Sequence, residues 1–151
     1  MGIHYVTGDA TAPIGEGNKI VAHVCNDVGA WGAGFVLAVS KRWPEPQAEY
    51  LKAAHALQLG AVSFIKVAPG VWVANMIAQR GIRTLAGVPP IRYDALRRCL
   101  GTLALEALKL QATIHLPRIG CGLAGGKWGR VEPLLREVIL NSEVFVYDLP
   151  R

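Results

Sequence analysis

Cysteine is scarce in this chain: Cys25, Cys99 and Cys121 lie far apart, are odd in number and form no Cys-x-x-Cys pair. That argues against a disulfide framework or a cysteine-built zinc site and points to reduced thiols. No His-Glu-x-x-His or other paired-ligand spacing is present, so neither a metal nor a cofactor is expected. Charged residues make up only 18%, and no basic run exceeds two residues, as in Arg97-Arg98. The 16 Lys plus Arg against 11 Asp plus Glu leave +5, which suits an anionic ligand but lacks the clustered basic face of a nucleic-acid binder. Lys, Arg, Gly or Pro breaks every apolar stretch well before the ~18 residues of a membrane span. The start, Met1-Gly2-Ile3-His4-Tyr5-Val6, has no basic n-region, long apolar segment or myristoylation signal, so a cytoplasmic location is expected.

What the chain has is glycine, 17 of 151 residues or about 11%, against an average of about 7%. With 52% apolar residues, one domain over 1–151 is expected, burying about 70% of the unfolded surface without staples.

Ile3 to Thr7 and Lys19 to Val24 read as short buried strands, the second leading into Cys25-Asn26-Asp27 and a glycine-rich loop. Gly34 to Trp43 fits a helix that Pro44-Glu45-Pro46 ends, and Pro46 can open a second helix through about His55. Ala61 to Val67 and Val71 to Ile77 read as a hairpin around Ala68-Pro69-Gly70. Ala78 to Pro90 reads as a surface loop able to cover a site. Leu96, Cys99, Leu100, Leu103, Ala107 and Leu110 recur at helical spacing on one stripe. Thr113 to Leu116 is a strand, Pro117 to Gly129 a second glycine-rich loop, and Val131, Leu134, Leu135, Val138 and Ile139 the apolar face of a further helix. Val144 to Leu149 is the last strand. This order predicts an α/β fold, a three-layer α/β/α sandwich around a mixed β-sheet. Both glycine-rich loops leave the carboxyl ends of strands, so they should meet at one cleft.

The first loop runs Asn26-Asp27-Val28-Gly29-Ala30-Trp31-Gly32-Ala33-Gly34-Phe35. Its glycines free the backbone to turn, and amide N–H groups near a helix start can face phosphate oxygens. It has no Gly-Lys-Ser or Gly-Lys-Thr, and its glycine spacing reverses a dinucleotide fingerprint. The second, Arg118-Ile119-Gly120-Cys121-Gly122-Leu123-Ala124-Gly125-Gly126, also joins a strand to a helix, and two such cradles suit a diphosphate. Asp9, in Gly8-Asp9-Ala10-Thr11, either accepts from an adenine amino group or closes an Asx turn. Asn26 is either a turn-capping residue or a ribose ligand. Cys121 lacks a base at any legible spacing and reads as a small residue tolerated beside a ligand. His4 and His115 read as strand residues and His55 as a helix residue; His23 precedes the first loop and can orient a group there.

Taken together, Gly8-Asp9-Ala10-Thr11, His23-Val24-Cys25-Asn26 and the loops at 28–35 and 118–125 resemble the macrodomain family, modules that bind ADP-ribose. The resemblance spans nearly the whole chain. Pro117-Arg118-Ile119-Gly120-Cys121-Gly122-Leu123 and Gly32-Ala33-Gly34 are most similar to the branch of terminal ADP-ribose protein glycohydrolase and the ALC-one macrodomain, including compact actinobacterial members. The resemblance implies ADP-ribose and ADP-ribosylated proteins as partners, contacts from Asp9, Ala10 and the two loops, and removal of ADP-ribose from acidic side chains. Nucleic acid is expected only as an ADP-ribosylated substrate. The branch's hydrolase uses a lysine at the exit of the strand before the long loop and an aspartate after Gly-Cys-Gly-Leu. Here those regions read Asn75-Met76-Ile77-Ala78-Gln79-Arg80 and Leu123-Ala124, so the lysine mechanism does not carry over. Asn26 and Gln79 are the expected polar partners of a reaction that works by positioning. A non-catalytic reader, an ADP-ribose phosphatase and an O-acetyl-ADP-ribose deacetylase are the alternatives. A domain with no attached effector favours the enzyme.

Overall fold

The computed structural model describes residues 2–151, in the order β1 (Ile3–Thr7), β2 (Lys19–Asn26), α1 (Phe35–Arg42), α2 (Glu45–Lys52), β3 (Val62–Ala68), β4 (Val71–Gln79), α3 (Tyr93–Leu110), β5 (Thr113–Leu116), α4 (Trp128–Val138) and β6 (Val144–Asp148). One sheet has the strand order β1-β6-β5-β2-β4-β3, parallel throughout except for β3, which runs antiparallel to β4. The expected sandwich with a mixed sheet is the observed architecture.

The central strands are apolar on both faces because helices cover both. Along β2 the side chains alternate: Ile20 and Ala22 join the core under α3 and α4, while Val21 and Cys25 join the core under α1 and α2. The stripe on α3 is real, with Leu96, Cys99, Leu100, Leu103 and Ala107 buried and Leu110 packed at its margin. Truncating Leu96, Leu100 or Leu103 to alanine should cost about 2–5 kcal/mol. On α4, Val131 and Leu135 are buried and Leu134 and Val138 half-buried, while Ile139 packs from just past the helix end. His55 is a correction, since it lies in a turn after α2. Pro46 starts that helix as expected, but Ala53-Ala54 already turn back through hydrogen bonds to Tyr50 and Leu51.

Strands β2 and β4 run further than their apolar cores, to Asn26 and Gln79. Cys25 pairs with Ile77 but Asn26 with Gln79, so the ladder carries an irregularity at this point. Such bulges bend a strand and re-aim its side chains, here at the carboxyl edge where both glycine-rich loops start.

Candidate functional site

The first loop is held by side chains. Asn26 Nδ2 donates to Ala30 O at 2.7 Å, and its Oδ1 accepts from Val28 N, Ala30 N and the Tyr50 hydroxyl. The Tyr50 hydroxyl also approaches Asn26 O at 2.7 Å. Asp27 Oδ1 accepts from Gly81 N at 2.8 Å, tying the loop to the end of β4. Trp31 turns inward against Tyr50 and the edge of His23, and its Nε1 donates to Ser40 Oγ at 2.6 Å. With the loop so braced, the N–H groups of Gly32, Ala33 and Gly34 find no acceptor among the described residues.

The second loop is held by its own backbone. Cys121 N donates to Arg118 O, Gly125 N to Gly122 O, and Gly126 N to Gly120 O at 2.7 Å. Ile91 N reaches across to Ala124 O at 3.0 Å. Three glycines allow this folding: a Cβ on Gly120 would stand 2.7 Å from Ile91 Cδ1, one on Gly125 2.8 Å from Pro89 Cβ, and one on Gly126 would overlap the Gly120 carbonyl. Here too three N–H groups, those of Gly122, Leu123 and Ala124, lack an acceptor among the described residues.

The loops face each other across a cleft made of three connected cavities. The middle one, about 250 Å³, lies between Gly34-Phe35 and Ile119-Gly120, with His23 also in its lining. Towards β1 it opens, through Phe35, Pro117 and Arg118, into a cavity of about 300 Å³ beside Asp9, Ala10 and Tyr147. On the other side, through Val24, Gln79 and Leu123, it opens into one of about 310 Å³. That distal cavity is lined by Val24, Cys25, Asn26, Ala30, Gly32, Ala33, Val36, Gln79, Ile82 and Leu123, with no ionisable group except a buried thiol. The arrangement is a channel with amide donors at its waist, a carboxylate at one end and two amide side chains at the other.

At the first end, Asp9 closes its Asx turn, Oδ1 accepting from Thr11 N at 2.8 Å and Thr11 Oγ1 at 2.7 Å. Its Oδ2 has no partner among the described residues, so one oxygen shapes the turn and the other is free for a ligand. Arg118 is bidentate to Asp148, at 2.7 and 2.9 Å, and stacks 5.2 Å from both the Tyr5 and Trp128 rings. The guanidinium holds the Asp148 carboxyl below its usual range. At the distal end, Gln79 Nε2 donates to Gly81 O at 3.1 Å, while Oε1 has no partner among the described residues.

Burial sets the remaining ionisable groups. His23 is buried and pushed down to about 4, its Nε2 donating to Asn75 Oδ1 at 2.7 Å, so it is a neutral strut rather than an acid. His115, also held near 4 by burial, bonds Thr113 Oγ1 and the Tyr147 hydroxyl, which in turn accepts from Ile14 N. That chain pins the segment following Asp9. Burial raises the Cys121 thiol, which leaves it unactivated as a nucleophile.

The structure therefore gathers Asp9, Ala10, Asn26, Ala30, Gly32, Ala33, Gly34, Phe35, Gln79, Arg118, Ile119, Gly120, Gly122, Leu123 and Ala124 around one cleft. Val28, Gly29, Trp31, Cys121 and Gly125 are absent from its lining; Val28 points to solvent and Trp31 into the core. Tyr50, Ile82 and Tyr147 were not legible as site residues. Tyr50 reads in sequence as one apolar position of a short helix, and nothing local links it to a residue 24 positions away.

No protein-family model matches the chain. It is 51% identical to a macrodomain protein of Streptomyces coelicolor over 97% of this chain and 99% of that one, with a TM-score of 0.87. The mouse chromodomain-helicase-DNA-binding protein 1-like is 33% identical over 99% of this chain, which spans only 18% of that protein. An ADP-ribose 1''-phosphate phosphatase of Candida albicans is 28% identical, covering 89% of this chain and 92% of the yeast protein. A Thermosipho africanus DarTG structure in complex with ADP-ribose shares the fold at 20% identity, with a TM-score of 0.70 over 87% of this chain and 38% of that one. From the first of these likenesses, over almost the full length of both chains, the protein belongs to the macrodomain family.

Proposed function

We propose that the protein binds ADP-ribose along this cleft and hydrolyses ADP-ribosyl esters of glutamate and aspartate side chains. The observation that carries the reading is the pair of opposed loops, each with three N–H groups unpartnered among the described residues, of which Ala33, Gly34, Gly122, Leu123 and Ala124 line the central cavity and Gly32 the adjoining distal one. A diphosphate matches that arrangement, and backbone donors cost little to organise because the loops are already braced. Adenine goes to the Asp9 end, where Oδ2 accepts from its amino group, and the distal ribose to the cavity of Asn26 and Gln79. The Candida and Thermosipho proteins, whose names and ligand involve ADP-ribose, support the same choice. Likeness to the mouse protein supports the branch read from Gly-Cys-Gly-Leu.

The chemistry follows from what the distal cavity lacks. With no carboxylate, lysine or histidine lining it, no general acid is at hand for a poor leaving group. A departing glutamate or aspartate carboxylate has a conjugate acid of pKa near ~4 and needs none. The dianionic group of ADP-ribose 1''-phosphate would meet no cationic side chain there, which disfavours the phosphatase alternative. Gln79 keeps Oε1 for a water or the ribose, an orienting role. Asn26 spends its side chain on the loop and acts as a positioning residue. The absence of a lysine and an aspartate at the branch's two positions favours a second reading, a non-catalytic reader of ADP-ribose.

The deciding experiment is release of ADP-ribose from a glutamate-modified protein, assayed beside calorimetric binding of ADP-ribose, AMP and ribose 5-phosphate. Release from glutamate but not serine or arginine linkages, with ADP-ribose bound tightest, is the expected result. Tight binding without release makes the protein a reader, and equal affinity for AMP removes the distal assignment. Gln79→Ala should lower turnover with affinity held within about tenfold, roughly 1.4 kcal/mol.

A further inference from the structure

Between β4 and α3, residues 80–91 form a small hairpin that leans on both ligand loops. Its base is stitched by Arg80 N to Pro90 O at 2.9 Å and a bridge between Gln79 and Ile91. The tip is a two-residue turn, with Leu85 N to Val88 O at 3.0 Å and Val88 N to Leu85 O at 2.9 Å. Ala86 and Gly87 both have positive φ, 51° and 77°, as a type I′ hairpin turn requires. Arg92 Nη1 donates to the carbonyls of Pro89, Pro90 and Ile91, fixing the returning strand. The finger is then fastened twice: Gly81 N to Asp27 Oδ1 in the first loop, and Ile91 N to Ala124 O in the second.

A hairpin so well anchored nevertheless carries apolar side chains into water. Leu85 is 70% exposed, Ile82 53% and Val88 52%, and Ile82 also lines the distal cavity. Arg80 and Arg83 flank them, exposed and without an acidic partner among the described residues. Apolar groups on an anchored hairpin, of which Ile82 reaches the lining of the cleft, beside two arginines with no acidic partner among the described residues, are the features of a recognition edge. Nucleic acid would need cations along a groove, and the isoleucine, leucine and valine of this tip offer nothing to a phosphate backbone.

We propose that the finger at 80–91 docks the polypeptide that carries the ADP-ribosyl group, preferring a segment with an apolar residue and acidic residues near the modified side chain. The inference rests on the ADP-ribose reading of the cleft. It makes the protein a reader of the peptide context as well as of the modification, whether or not it then hydrolyses the link. The preformed turn lowers the ordering cost of docking, and the apolar tip supplies contact area that free ADP-ribose cannot use.

The test measures affinity, so turnover does not enter. The full chain is titrated with free ADP-ribose, with an amide-linked and so hydrolysis-resistant ADP-ribosyl peptide carrying Leu and Glu flanks, with the same peptide carrying Ser and Lys flanks, and with an ADP-ribosylated oligonucleotide. The Leu/Glu peptide should bind about fivefold or more tighter than free ADP-ribose, and the doubly substituted Leu85→Ser, Val88→Ser protein should lose that gain while keeping its ADP-ribose affinity within about twofold. Arg83→Glu should abolish the preference for Glu over Lys flanks. Equal affinity for both peptides and free ADP-ribose overturns the docking role, as does a gain confined to the oligonucleotide. If the tip variant loses free ADP-ribose too, the finger serves the cleft and the proposal fails. If wild-type protein binds no ADP-ribose at all, the reading of the cleft itself fails, a result separate from loss of peptide preference.

Discussion

The two glycine-rich loops present the same feature, three amides without an acceptor among the described residues, by different means. The first is braced through side chains, those of its own Asn26, Asp27 and Trp31 and that of Tyr50 on α2, and its Gly32 has nothing within 4 Å of where a side chain would go. The second is braced from inside, by backbone hydrogen bonds that need Gly120, Gly125 and Gly126 to be bare. Gly32 and the trio Gly120, Gly125 and Gly126 therefore do different work: the first leaves open space over the cleft, whereas the trio leaves room for the protein itself.

Acid gives the broadest test of this difference. His23 sits behind the first loop and His115 behind the Asp9 segment, both held near 4 by burial against an unfolded value near 6.5. Because the folded values are lower, their neutral burial is fully tolerated above pH 6.5 and costs stability progressively as pH falls towards 4, by on the order of 3 kcal/mol for each fully buried ring. Urea melts between pH 7 and 4.5 should show falling stability accordingly, and ligand affinity should decline over the same window. Stability unchanged across that window would contradict the strut role of these histidines.

Next in size is a swap of glycines for alanine. Gly126→Ala forces a methyl into the Gly120 carbonyl and should cost about 2–3 kcal/mol in urea denaturation, whereas Gly32→Ala should stay within about 0.5 kcal/mol. Equal costs would erase the distinction between the loops. Bulk at the open glycine then separates fold from function: Gly32→Val should keep native circular dichroism yet weaken ADP-ribose binding by about a hundredfold, near 2.7 kcal/mol. The smallest effect is expected from Tyr50→Phe, which removes the hydroxyl shared by Asn26 O and Oδ1. A stability loss of about 1 kcal/mol, with a several-fold weaker ligand affinity, would mark the side-chain bracing of the first loop.

The same contrast explains what could be read before the structure. Strands β1 and β5 fall at the residues read for them, but β1 is a correction to the expected buried strand: at the sheet edge its side chains are half-buried or exposed. The stripe on α3 is buried as its spacing requires. Both glycine loops and Asp9 are visible as local signals because backbone freedom and turn chemistry are written within a few residues. The strand order is not, since β6 returning between β1 and β5 depends on which edges remain after all the others pair. The last residues of β2 and β4 are missed because Asn26 and Gln79 are poor strand formers, held there by the irregular ladder rather than by propensity. Asn26 could not be decided between turn and ligand, and the structure gives its side chain to the turn through partners four and 24 residues away. For the finger at 80–91, the glycines and prolines announced a loop, whereas the exposed leucine and valine at its tip gain meaning only once it stands beside the cleft.

The central claim is that the two loops grip one diphosphate between them. An amide NMR titration with ADP-ribose reads this directly, following Gly32, Ala33 and Gly34 in one loop and Gly122, Leu123 and Ala124 in the other. All six amides should shift together with a single dissociation constant, the proton resonances moving downfield as they donate to phosphate oxygens. Shifts confined to one loop, or two sets with different constants, would contradict it.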